Sequence, residues 1–354
     1  MRRLTALICI LCVLLSGCAL WMSGERLSVT PHEAQKTQHS VEVVNVTSFT
    51  QLRNALKEQI EIGKEEIIIS ASAFNDTTLD YYVSTAVNYI TDSTAIGAYA
   101  VDKITYEIGT NRGDQVVAFR VEYKHGKVEL ERIKTVDSAK ELMDELTTAL
   151  NACEQSVTVM VEHYESIDFT KFVDEYASLH PDKVMETPYV SVATYPANAE
   201  ERILEITLTY LTEREQLLEM QRQVQSVFTS AELYVKETQK VMDIYSRLYS
   251  FLMERSDYTV QPSQTPAYSL LHSGIGDSRA FANVYAAMYR RAGLDCEVVS
   301  GLREGERWYW NAIRYRDNLY HVDLLRCNEN NAFSLTLGED MVDYEWDAMA
   351  FPAE

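Results

Sequence analysis

Residues 274–296, GIGDSRAFANVYAAMYRRAGLDC, run a glycine-bearing turn straight into an amphipathic helix, with Ser278 where the two meet. That is a favourable place for a nucleophile. The first backbone N–H groups of a helix lack intrahelical partners, and the macrodipole stabilises negative charge there. A serine hydroxyl nevertheless attacks an acyl carbon only when a general base within hydrogen-bond reach takes its proton. The candidates are His272, in the turn before Ser278, and His321, two residues before Asp323 and on the same face of a regular strand. Asp277 reads as an aid to helix capping. Ser278 is therefore either a nucleophile or a cap, and the partners supplied by the rest of the chain decide which.

The surrounding elements come in a distinctive order. A helix ending in aromatic residues, VMDIYSRLYSFLMERSDYTV, precedes AYSLLHSGIGDSRAFANVYAAMYRRAGLDCEVVSG, and RWYWNAIRYRDNLYHVD follows as paired strands. From about residue 229 this order resembles the transglutaminase-like superfamily, a papain-related α+β fold. Its members carry a nucleophile-bearing helix closing in RAG, a VVSG strand, and paired strands written HAWN and YHVD. The tail, FSLTLGEDMVDYEWDAMAFP, fits the same pattern. The resemblance implies a Cys, His, Asp triad, which falls residue by residue on Ser278, Trp308 and Asp323. Ser278 stands fifteen residues before Gly293, and Trp308 opens WYWN.

Only the aspartate is kept, and the chemistry suffers accordingly. A serine cannot be held ionised as a thiolate is. An indole donates one N–H and accepts nothing, so Trp308 is no base. Losing the base alone costs roughly 10⁴ in rate. His321 belongs to the family's YHVD and is expected in packing, and Cys296 follows RAGLD as a plain strand-start cysteine. The resemblance thus implies a pseudoenzyme with no catalytic residue. Tyr268, Trp308 and Trp310 are left either to line a groove for a peptide or glycan, or, for Trp308, to plug the ancestral cleft.

Upstream, the order helix, strand, helix, two strands occurs twice, over 46–126 and 136–212. Leu52, Leu56 and Ile60 make the first stripe, and Leu142, Leu146 and Leu150 repeat it. Leu52 to Leu142 and Val83 to Val173 are 90 residues apart, Tyr106 to Tyr195 is 89, and Tyr123 to Tyr210 is 87. This reads as a duplicated small α/β/α/β/β unit, serving interaction or spacing. A linking helical stretch opens 213–354, broken near TSAEL (229–233), which would cap the run Val241, Ile244, Leu248, Leu252. The fold class is α+β throughout.

The first residues are targeting signal rather than fold. MRRLTALICILCVLLSGC pairs two arginines with a short apolar run, and its LLSGC ending resembles a bacterial lipobox. That implies cleavage after residue 17, lipid on Cys18, and a polar spacer to residue 45. The chain would then be a membrane-anchored protein facing outside the cytoplasm. The net charge of -21 becomes -23 once Arg2 and Arg3 leave with the leader, which argues against nucleic acid as a partner. Of six cysteines, Cys153, Cys296 and Cys327 remain for the fold. They make no metal-ligand pattern, and a Cys296–Cys327 bridge is allowed but not demanded. No cofactor or metal is expected. Three functions stay open: a binding or scaffolding pseudoenzyme at the envelope, a weak peptide or amide hydrolase using Ser278, and a structural lipoprotein that binds through its repeats.

Overall fold

The first described helix starts with a reciprocal cap that recurs 90 residues later. Ser48 accepts from the backbone N–H of Gln51, whose side chain reaches back to the N–H of Thr47. Ser138 and Glu141 repeat the arrangement, with Glu141 accepting from the N–H of Asp137. These caps open α1 (Phe49–Glu61) and, further on, the matching helix Ala139–Asn151, whose leucine stripes are fully buried. The structure is a computed structural model describing residues 43–349 except Arg112. The leader, Cys18 and the spacer up to residue 42 lie outside the described residues.

The first unit contains β1 (Val43–Asn45), α1, β2 (Glu66–Ser70), α2 (Asp76–Ser93), α3 (Ala95–Ala100), β3 (Val101–Asn111), β4 (Asp114–Tyr123) and α4 (Lys127–Leu130). The second contains β5 (Lys134–Val136), α5 (Ala139–Asn151), β6 (Ser156–Val161), α6 (Phe169–Leu179), β7 (Tyr189–Tyr195) and β8 (Arg202–Thr209). Each sheet has four strands in the same spatial order, β1-β2-β4-β3 and β5-β6-β8-β7. The short strands β1 and β5 and the helix α3 carry too few residues for a periodic signal and were invisible in sequence. Helix α3 packs Ala95, Tyr99 and Ala100 against Ile203 of the second sheet. Gly97 is needed there, because a Cβ would stand 2.0 Å from the carbonyl oxygen of Ile90.

The linking helix α7 (Arg214–Val235) is one continuous element, and the expected break at 229–233 falls inside it. Phe228, Ala231 and Val235 continue the buried stripe begun by Leu217 and Val224. Thr229 and Ser230 turn their hydroxyls back onto the carbonyls of Gln225 and Ser226, so they serve the helix instead of ending it. The chain then forms α8 (Val241–Met253), β9 (Asp257–Tyr258), α9 (Pro266–Ser273), β10 (Ile275–Gly276) and α10 (Ser278–Arg291). A five-stranded antiparallel sheet completes the domain: β11 (Glu297–Arg303), β12 (Glu306–Tyr315), β13 (Asn318–Val322), then α11 (Leu324–Glu329), β14 (Thr336–Leu337) and β15 (Tyr344–Trp346). Its spatial order is β14-β13-β12-β11-β15.

The second unit is built into this domain and does not stand apart as a spacer. Cys153 and Met185 share one core with Phe228, Leu248, Phe281 and Tyr285. Arg279 reaches both carboxylate oxygens of Asp174 at 2.8 and 2.9 Å and the hydroxyl of Ser178. The buried carboxylate of Glu186 accepts the N–H groups of Leu211 and Thr212 at the entry to α7. Residues 213–354 alone are therefore expected to lack a cooperative thermal transition and near-ultraviolet dichroism, whereas residues 134–354 keep both. A cooperative transition in the shorter fragment would refute the shared core.

Candidate functional site

Ser278 lies at the N-terminus of α10, but it is not the cap. Asp277 is, with its Oδ1 accepting the N–H of Ala280 at 2.8 Å. Ser278 is the first helical residue and is buried, at 7% exposure. Among the described residues its hydroxyl makes no hydrogen bond. The segment before it is fixed by the parallel pairing of β10 with β9, which sets Gly276 opposite Tyr258.

The decisive contact lies across the sheet. Trp308, on β12, donates its indole Nε1–H to Oδ2 of Asp323 at 2.9 Å. Asp323 sits at the end of β13, where its Oδ1 caps α11 by accepting from Leu325 and Arg326. Its Oδ2 also accepts the Tyr344 hydroxyl at 2.6 Å and faces the Arg303 guanidinium at 3.4 Å. Both carboxylate oxygens are thus engaged by fixed donors. The indole takes the bond through which an acidic side chain would orient an imidazole, and it offers no lone pair in return.

The other candidates are held elsewhere. His321 accepts the Trp310 indole N–H on Nδ1 at 2.9 Å and packs against Trp346. Its burial lowers its pKa below the ordinary 6.5. Trp310, at 1% exposure, is core, so it does not line a groove as expected. His272 closes the last turn of α9 and does not lie in a loop; it is exposed and stacks on Tyr268 with ring centroids 4.7 Å apart. Trp308 packs its ring 5.3 Å from that of Tyr258, with Arg303 over its face at 5.1 Å. The role of Tyr258 was missed from the sequence, which shows only a tyrosine after a helix. The three cysteines are free, buried thiols, so Cys296 and Cys327 are not bridged. Burial pushes the Cys296 thiol up, away from thiolate. Among the described residues no group of three or more His, Cys, Asp or Glu could hold a metal ion.

The sequence profile of the transglutaminase-like superfamily matches residues 229–330, the stretch that contains Ser278, Trp308 and Asp323. Residues 229–330 form a transglutaminase-like domain. No curated protein matches the chain. Among solved structures, the chain is similar to a TGase at 10% identity, with a TM-score of 0.27 over 54% of this chain and 59% of the other. It is also similar to a candidate cysteine protease of Cytophaga hutchinsonii, at 14% identity and a TM-score of 0.25, covering 44% of this chain and 68% of that one. A candidate protease of Parabacteroides distasonis matches at 9% identity and 0.22, over 76% and 43% respectively. The chain therefore spans about three fifths of the TGase's length.

A pH dependence follows from the histidine buried in the transglutaminase-like domain. With its folded pKa lowered, His321 binds fewer protons folded than unfolded, so stability rises with pH through this window. Its contribution is present above pH 6.5 and is lost as pH falls below that value. His180, whose pKa burial also lowers, acts in the same direction. Denaturant midpoints should therefore drop between about pH 6.5 and 5, and His321→Gln should flatten that drop. An unchanged slope in the variant would remove His321 as the cause.

Proposed function

We propose that this protein is an exported lipoprotein, anchored through lipid on Cys18, whose transglutaminase-like domain is catalytically disarmed and serves binding or scaffolding at the cell envelope. The observation that carries the reading is the 2.9 Å bond from Trp308 to Asp323. A serine nucleophile needs a base, and the position that would hold one presents an indole N–H instead. Neither His272 nor His321 is hydrogen-bonded to Ser278. Two residues before Ser278, Gly276 pairs with Tyr258, which is 43% exposed and packs against Trp308, and such aromatic faces stack on peptides or sugars. The ligand of the domain is then an envelope protein, a peptide or a glycan.

A fluorophosphonate probe and a panel of peptide amides test the first half. The expected result is no labelling of Ser278 and no turnover that Ser278→Ala abolishes. Ser278-dependent turnover would overturn the reading in favour of a hydrolase. For the second half, Cys18→Ser is expected to move the protein from the membrane to the soluble fraction. Retention at the membrane would remove the anchor.

A further inference from the structure

The helix that begins at Ser278 turns one face toward the second unit. Ala280, Asn283 and Val284 follow Asp277 by three, six and seven residues, the spacing of a single helix face. Against that face lie the end of α6 with the segment after it, and the turn that enters α9. With only a methyl group at position 280, a cavity of about 130 Å³ remains between them. Its walls include Val184, Pro262 and Pro266. An apolar cavity of roughly 150 Å³ accepts benzene, so the room here suits an organic ligand of about five or six non-hydrogen atoms. The lining omits Ser278, Trp308 and Asp323.

A buried acceptor and an unmatched charge meet at this cavity. The Asn283 Oδ1 is closed off from solvent and receives no hydrogen bond among the described residues. Such an acceptor is destabilising, and a ligand that donates to it removes the penalty. The Asp277 carboxylate accepts the N–H of Ala280 at 2.8 Å through one oxygen, and no cation pairs with it among the described residues. Asp277 and Arg279 are the only charged residues of the lining. The Arg279 charge is already matched, since its Nη2 lies 2.8 and 2.9 Å from the two oxygens of Asp174. The uncompensated charge is therefore negative. Side chains of a helix lean toward its N-terminus, the direction from Asn283 to Asp277, so one ligand head group serves both.

We propose that this cavity binds a small organic ammonium ion, whose N–H groups are donated to Asn283 Oδ1 and the Asp277 carboxylate and whose carbon chain rests on Val184, Pro262 and Pro266. The head group of a free amine and that of a partner's lysine side chain are the same, and the test separates the two sources. The net charge of -21 concentrates either cation near the protein. The site stands apart from the loss of catalysis at Ser278, so either reading can fail without the other.

The test is isothermal titration of the full-length protein, at fixed ionic strength, with n-butylammonium, tetramethylammonium, butan-1-ol and Nα-acetyl-lysine methylamide. Butylammonium is expected to saturate one site below about 10 mM, a modest affinity for a ligand of this size. Tetramethylammonium carries the same charge without an N–H, and butan-1-ol carries the chain without the charge. Each should bind about tenfold more weakly or worse. Asp277→Asn removes the charge and keeps a good capping side chain, and should weaken butylammonium about five- to tenfold. Asn283→Leu keeps the shape and removes the amide. It should abolish detectable binding and raise the thermal midpoint of the unliganded protein, because an unsatisfied buried acceptor is gone. Acetyl-lysine methylamide binding as tightly as butylammonium assigns the site to a partner's lysine, and its exclusion assigns it to a free amine; both keep the proposal. The proposal is overturned if butylammonium does not saturate, if tetramethylammonium or butan-1-ol matches it, or if folded Asp277→Asn or Asn283→Leu binds it unchanged.

Discussion

The Ser278→Cys/Trp308→His double variant is expected to gain a thiol that iodoacetamide alkylates near pH 6 about 10²-fold faster than an ordinary cysteine, together with slow amide hydrolysis. The size follows from moving a thiol from a pKa of about 8.5 toward 6, which raises the thiolate fraction by roughly that factor. The geometry favours it. Asp323 already presents Oδ2 to residue 308 at 2.9 Å, and the five-membered ring of imidazole follows that of the indole it replaces. One ring nitrogen then meets Asp323, and the other is left with a lone pair for the thiol. Ser278→Cys alone should stay an ordinary thiol, because Trp308 supplies neither base nor cation. Trp308→His opens space beside Tyr258, so a melting curve must accompany the kinetics; the loss should stay below about 3–5 kcal/mol. A folded double variant with an inert thiol would mean that the ancestral site has lost more than two side chains.

Asp323→Ala is expected to cost about 3–5 kcal/mol of stability, more than any other single change to the triad-equivalent positions. Its carboxylate is buried, caps α11 with one oxygen, and receives Trp308, Tyr344 and Arg303 with the other. Truncation leaves the Trp308 indole N–H and the Tyr344 phenol without this acceptor, while the Arg303 guanidinium keeps Glu329 at 2.7 Å. Urea denaturation followed by tryptophan fluorescence reads this directly, since Trp308 reports on the same node. In an active triad the same substitution would act chiefly on rate. Here the carboxylate is a structural junction, and a loss under about 1 kcal/mol would show that water replaces it freely.

These two residues also show how far the sequence reaches. The transglutaminase-like domain was legible, because the order of elements from VMDIYS to YHVD lies within the matched residues 229–330. So was the α+β class, since leucine stripes at helical spacing and alternating strands need no tertiary contact to declare themselves. The caps Ser48/Gln51 and Ser138/Glu141, 90 residues apart, were equally present in the string. What capped α10 was not, because Asp277 and Ser278 are both good capping residues and only backbone geometry assigns the role.

Sequence by itself determined the long amphipathic helices, the longer strands and the negative charge, since each depends on residue type and spacing alone. Tertiary structure decided the rest. It took Trp310 into the core and gave His321 to its indole, and it bonded the Trp308 indole to Asp323. It kept α7 continuous through Thr229 and Ser230, and it joined the second unit to the transglutaminase-like domain through Arg279 and Asp174. The reason is common to all of these: a side chain's partner depends on what lies close in space from elsewhere in the chain, and Arg279 and Asp174 are 105 residues apart in sequence.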